Sequence, residues 1–181
     1  EFAENEMKEQ SKEWEITGEV PQSIYDQIAE MGLTTLEVPE EFGGPGLSRL
    51  TVAACYEQLA KADAGITMTI LATNLAYTTV KLFGSKEQIQ DVSDMILEGH
   101  HGAFCLTEPS AGCDASNSKT TAVEDGDDFI INGRKCFITN GSLADFYVVT
   151  AITDKSVPAA KGMTAFLVKK DMPGVSSGNH E

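Results

Sequence analysis

The sequence predicts an α+β protein, helical over its first hundred residues and built on antiparallel strands thereafter. Three observations lead there. Between residues 1 and 100, apolar side chains recur at helical spacing between recognisable start and stop signals. Beyond Lys119, the turn dipeptides Asp125-Gly126 and Asn132-Gly133 separate TTAVE, DFIIN and RKCFITN, so Lys119 to Ile152 reads as antiparallel strands joined by tight connections. Between these regions lies AFCLTEPSAGCDASNSKTT, Ala103 to Thr121, which has neither periodicity.

The helical elements follow in order. Residues 2 to 14 carry Phe2, Met7 and Trp14 among charges, as a first surface helix would. Pro21 suits the first turn of a second helix that runs through Ile24, Ile28 and Met31 and ends at Gly32. A loop with Pro39, Gly43, Gly44, Pro45 and Gly46 follows; it completes neither GxGxxG nor a P-loop, so it supports no nucleotide site by itself. Ser48 is placed to N-cap a helix carrying Leu50, Ala53, Ala54, Tyr56 and Leu59. From Ile66 to Phe83 apolar residues surround the helix more fully, which predicts burial on several sides. Its Thr67, Thr69, Thr73 and Asn74 are either satisfied core groups or the lining of a cavity. Ser85-x-x-Gln88 is a capping box opening a helix that ends at Glu98-Gly99.

Composition and charge exclude several function classes. The 41% hydrophobic content supports one or two compact domains, as in a soluble intracellular protein. The net charge is −15, of which residues 1 to 40 contribute −9 from 11 acidic and 2 basic side chains. That balance weighs against nucleic acid or an anionic membrane surface as partner, and a solvated helix face is the simplest account of it. No apolar run reaches the roughly 18 residues of a membrane span, and the first residues given lack the charged, then apolar, pattern of a secretory leader. Cys55, Cys105, Cys113 and Cys136 show no CxxC spacing and are too sparse for a disulfide scaffold, which fits buried or site-lining thiols in a reducing compartment. His100-His101 lacks other ligands at a useful spacing, so no metal site is expected. No GxSxG elbow supports a hydrolase. Asn140-Gly141-Ser142 fits the glycosylation triplet only formally and reads as a turn.

The segment Thr107 to Asp114 carries the chemistry. Pro109 pushes Glu108 out of the helical region, and Ser110, Ala111, Gly112 and Cys113 leave little bulk over the backbone. A flat or phosphorylated ligand can lie against such a loop, whose N–H groups and hydroxyls face an anion or a heteroaromatic edge. Taken alone, the same residues also fit a surface turn.

Together with Ile131 to Lys135, INGRK, and Phe137-Ile138-Thr139, the TEPxAGxD pattern at Thr107 to Asp114 resembles the acyl-CoA dehydrogenase family. Met31-Gly32-Leu33, Val38 to Gly44 and Phe83 to Gln88 look like that family's inter-helix segments, so the resemblance covers nearly the whole chain. It implies an N-terminal all-α domain, residues 1 to 100, followed by an antiparallel β-barrel-like middle domain, 101 to 181, that is incomplete. Family members continue for about as many residues again, so the chain reads as a fragment, and the glutamate that acts as catalytic base is expected outside it. No catalytic residue is therefore assigned here.

The resemblance further implies FAD as cofactor and α,β-dehydrogenation of an acyl-CoA to the trans-2-enoyl-CoA. Leu106 and Thr107, after Phe104 and Cys105, would meet the pyrimidine side of the flavin. Phe137 would pack on the ring system with Ile138 and Thr139 beside it, and Gly112 and Cys113 would lie near the pyrophosphate. Cys113 would also adjoin the thioester side of the substrate. The helix from 66 to 83 would wall the acyl pocket and face the motif loop. Two departures stand out: Cys113 occupies a position often held by a hydroxyl, and Phe137 one often held by tryptophan. Implied partners are an acyl-CoA, an electron-transferring flavoprotein and further copies of the chain, as a dimer or tetramer, in the cytoplasm or the mitochondrial matrix of a eukaryote. An oxidase of the same fold and a non-catalytic ligand-binding or assembly module remain as alternatives.

Overall fold

The computed structural model describes residues 1–178 and divides in sequence into two compact units between His101 and Gly102. The first is helical. A single π-type turn, Ala3–Met7, precedes α1, Ser11–Thr17, which Gly18 closes at φ +70°. In α2, Gln22–Glu30, Pro21 stands at the N-cap, and Gly32 reverses the chain at φ +67°. Helix α3, Arg49–Ala60, starts where the Ser48 hydroxyl accepts the Thr51 N–H at 3.2 Å. Leu50 is 83% exposed, and Val52, Tyr56 and Leu59 form the inward face instead. They pack with Met7, Trp14, Ile24, Ile28, Ile66 and Ile70 in one apolar core.

Helix α4, Ala64–Phe83, buries Ile66, Ile70, Ala76, Tyr77 and Val80. Burial covers a broad arc of the helix, as expected, but not its whole circumference, because Met68, Leu71, Leu75 and Leu82 recur on one exposed stripe. Two of its polar residues find partners within the helical unit: the Thr67 hydroxyl donates to the Asp63 carbonyl at 2.8 Å, and the Asn74 amide donates across to Tyr56 of α3. In α5, Lys86–Leu97, the capping box closes both ways, with Ser85 N–H to Gln88 at 2.8 Å and Gln88 N–H to Ser85 at 3.2 Å. Ser93 of α5 bonds the buried Tyr77 hydroxyl at 2.8 Å.

The second unit is a five-stranded sheet: β1 Gly102–Cys105, β2 Thr121–Asp125, β3 Asp128–Asn132, β4 Phe146–Ile152 and β5 Met163–Lys169. It corrects the expectation of an antiparallel barrel, being open and mixed among the described residues. β1 pairs parallel with β4, from Gly102 opposite Phe146 to Cys105 opposite Val149, while β2–β3 and β4–β5 are antiparallel. The long excursion between β1 and β4 permits a parallel pairing that a hairpin cannot make. Five of the seven β4 residues are buried, as suits a strand paired on more than one side. β2 and β3 join through a two-residue connection with Gly126 at φ +67°. The short α6, Ala159–Gly162, precedes β5.

A second correction concerns RKCFITN, which forms no strand. Gly133 lies so near Thr120 that a Cβ there would sit 2.2 Å from its hydroxyl oxygen, so this glycine serves a close approach rather than a left-handed turn. Phe137 then takes φ +54°, which no strand can continue through.

Candidate cofactor-binding surface

The chain leaving β1 and the irregular segment before β4 lie side by side, stitched by the Cys136 N–H to the Thr107 carbonyl at 3.0 Å. Glu108 and Ala111 exchange two backbone hydrogen bonds of 3.0 Å across Pro109-Ser110, so the TEPSA stretch is a tight two-residue turn. Pro109 suits it by excluding the helical alternative for Glu108.

Beneath this turn lies a buried ion pair. The Lys135 ammonium donates to Glu108 Oε1 at 2.7 Å, to the Leu106 carbonyl at 3.1 Å and to Thr150 Oγ1 at 3.2 Å. Glu108 also accepts from the Ser118 hydroxyl, from the Lys119 N–H at 2.6 Å and from the Thr120 N–H at 3.1 Å. Burial by itself would push the Glu108 carboxyl up, but the hydrogen bonds from Lys135, Ser118, Thr120 and Lys119 outweigh it and hold the group well below the usual carboxylate range. With every Lys135 donor used and the carboxylate multiply bonded, the pair is the kind that tolerates burial.

The nine residues expected to touch a cofactor divide by exposure. Gly112, Cys113, Phe137 and Thr139 are exposed, and Leu106, Thr107, Phe104 and Ile138 are half-buried. The Cys105 side chain is buried with Ala103, Ala144 and Tyr147. Burial pushes its thiol up to about 11, with Lys135 opposing, so it is a neutral packed group. Backbone bonds bring Thr107 beside Cys136 and Phe137. Among the described residues no hydrogen bond ties Gly112 or Cys113 directly to Phe137–Thr139; their position follows from the Glu108–Ala111 turn.

Two features fit a flat ligand. Phe137 is 78% exposed on a left-handed backbone, a conformation costly for an aromatic residue and common at ligand sites. Gly112 has open space where a Cβ would stand, and the Thr107 hydroxyl and N–H have no partner among the described residues. FAD, with a planar ring system and a pyrophosphate, suits this set of aromatic face, free donors and small-residue loop. The motif reading missed the Glu108–Lys135 clasp. Its signal was present: a carboxylate before a proline and a lysine in INGRK, both inside stretches otherwise read for their backbone. Among the described residues no cluster of His, Cys, Asp or Glu is placed to hold a metal ion.

A mixed-sheet unit thus follows a helical one in sequence, and comparison with known proteins gives the pair a family. The profile for the acyl-CoA dehydrogenase N-terminal domain matches residues 1–100 and that for the middle domain matches residues 103–181. The chain belongs to the acyl-CoA dehydrogenase family. It is 39% identical to the caffeyl-CoA reductase-Etf complex subunit CarC of Acetobacterium woodii, over 99% of this chain and 48% of that protein. Butyryl-CoA dehydrogenase of Megasphaera elsdenii superposes with a TM-score of 0.88 at 37% identity, over 96% of this chain and 46% of the other. A glutaryl-CoA dehydrogenase of Mycobacterium smegmatis solved with FADH2 gives 0.88 at 27% identity, over 99% and 45%. The chain spans under half the length of the curated relatives it matches.

Proposed function

We propose that the whole protein is an FAD-dependent acyl-CoA dehydrogenase, converting an acyl-CoA thioester to the trans-2-enoyl-CoA. The observation that carries this is the pairing of an exposed, left-handed Phe137 with Thr107, whose hydroxyl and N–H have no partner among the described residues, on adjoining segments. Bound FAD would supply the hydride acceptor for the substrate's β carbon. Leu106, Thr107, Phe137, Ile138 and Thr139 would hold the ring system, Phe137 by stacking and Thr107 by hydrogen bonds that favour negative charge on the reduced ring. Gly112 and Cys113 would admit the pyrophosphate and the thioester end of the substrate. Phe104 and Cys105 would support this edge from β1, Cys105 through its backbone. Removal of the α proton is assigned to a carboxylate outside residues 1–181.

Residues 1–100 act in this reading as the N-terminal helical domain and 101–181 as part of the middle domain. The A. woodii relative is named for an Etf complex, which supports an electron-transferring flavoprotein as acceptor. The exposed apolar stripe on α4 supports a homo-oligomer, dimer or tetramer. Four free cysteines suit the cytoplasm or a mitochondrial matrix, and no described helix is long and apolar enough to cross a membrane. The test is anaerobic addition of short acyl-CoA to the whole protein. Loss of oxidised flavin absorbance with formation of the enoyl thioester is expected, and reoxidation by an electron-transferring flavoprotein rather than by air separates dehydrogenase from oxidase. An unchanged spectrum contradicts the proposal.

A further inference from the structure

Four successive carbonyls at the exit of β1 are tied down. Cys105 accepts from the Thr150 hydroxyl at 3.3 Å, Leu106 from Lys135 at 3.1 Å, Thr107 from the Cys136 N–H at 3.0 Å and Glu108 from the Ala111 N–H at 3.0 Å. Among the described residues no peptide bond is cis. A trans peptide sets its N–H opposite its C=O, so a Leu106 carbonyl turned to Lys135 directs the Thr107 N–H away from the buried pair. That N–H is bonded to nothing among the described residues, although Thr107 is half-buried, and a sheltered backbone donor ordinarily has a partner.

We propose that Lys135 is a positioning residue for cofactor capture: its ammonium fixes the Leu106–Thr107 peptide and strengthens the Thr107 N–H as a donor to an electron-rich ring edge that becomes anionic on reduction. This rests on the FAD reading above. A cation on a carbonyl oxygen draws electron density through the peptide, and hydrogen bonds in series strengthen one another by about 10–30% each. The Lys135 side chain is only 9% exposed, so water screens the effect little. Glu108 neutralises the pair as a whole, but its remaining bonds run to Ser118, Lys119 and Thr120, whereas the Leu106 carbonyl meets the ammonium directly.

A donor improved in this way favours reduced over oxidised cofactor, whereas a purely structural role would move both affinities together. The test measures FAD affinity and midpoint potential in the whole protein, comparing wild type with Lys135→Met and with the double variant Glu108→Gln, Lys135→Met. The double variant leaves no buried charge unpaired and keeps the comparison readable where the single variant folds poorly. The preference for reduced over oxidised FAD should fall about tenfold in both, a drop of about 30 mV in the two-electron potential. Folded variants with an unchanged potential, whatever their FAD affinity, overturn this inference alone. A wild-type protein that takes up no FAD overturns the functional reading and this inference with it.

Discussion

Glu108 and Lys135 show how a loop of small residues is made rigid. The turn at Pro109-Ser110 has little side chain of its own to pack, so its shape is imposed from below by a carboxylate and an ammonium that each satisfy several partners. Replacing Lys135 by methionine leaves the Glu108 charge buried and unpaired, an expected cost of about 3–5 kcal/mol, and adding Glu108→Gln should recover most of it. Chemical denaturation of the three proteins checks this. Because the folded-state Glu108 carboxyl lies below its ordinary value of 4.5, its contribution is complete above that pH and is lost as pH falls towards the lower folded value. The melting temperature of Glu108→Gln should therefore fall less steeply than that of wild type below about pH 4.5. Equal acid limbs would mean that the carboxylate is not held by these bonds. Sequence made both residues visible but not their partnership, since 27 positions separate them and only the sheet brings them together.

At the scale of elements, caps were legible and strands were less so. Ser48, Ser85-x-x-Gln88, Gly32 and Gly99 mark their helix ends through local bonds and left-handed backbone that involve only near neighbours. The parallel β1–β4 pair was hidden because it joins residues more than forty positions apart, and RKCFITN was misread because its alternation continues without a ladder. In that segment Cys136 and Ile138 turn inward while Phe137 and Thr139 stay exposed. Phe137 is held at φ +54°, where a non-glycine residue costs about 1–2 kcal/mol. Phe137→Gly should relieve that strain and, with so exposed a ring, leave thermal stability unchanged or slightly raised, while weakening FAD binding. A melting curve beside an FAD titration separates the two effects; a large loss of stability would show that the ring is a packing residue. Ser85→Ala should cost about 1 kcal/mol by removing one half of the capping box, read as a lower denaturation midpoint.

Across the whole molecule, the helical unit and the sheet unit each have a core, but both leave apolar surface uncovered. Met68, Leu71, Leu75 and Leu82 line one side of α4, and Phe83 at its end is 84% exposed. Residues 1–181 expressed alone should self-associate through such surface, seen as concentration-dependent light scattering, and should hold FAD more weakly than the whole protein. A monodisperse monomer with tightly bound FAD would contradict that. The central claim is that the Thr107 and Phe137 segments form one flavin-binding surface. Its most direct test is FAD titration of the whole protein against a variant carrying Thr107→Val and Phe137→Gly. Removing a hydroxyl donor and a stacking ring, each worth about 1 kcal/mol, should weaken binding by about tenfold or more while both proteins stay folded. Equal FAD affinity in the two would contradict the account.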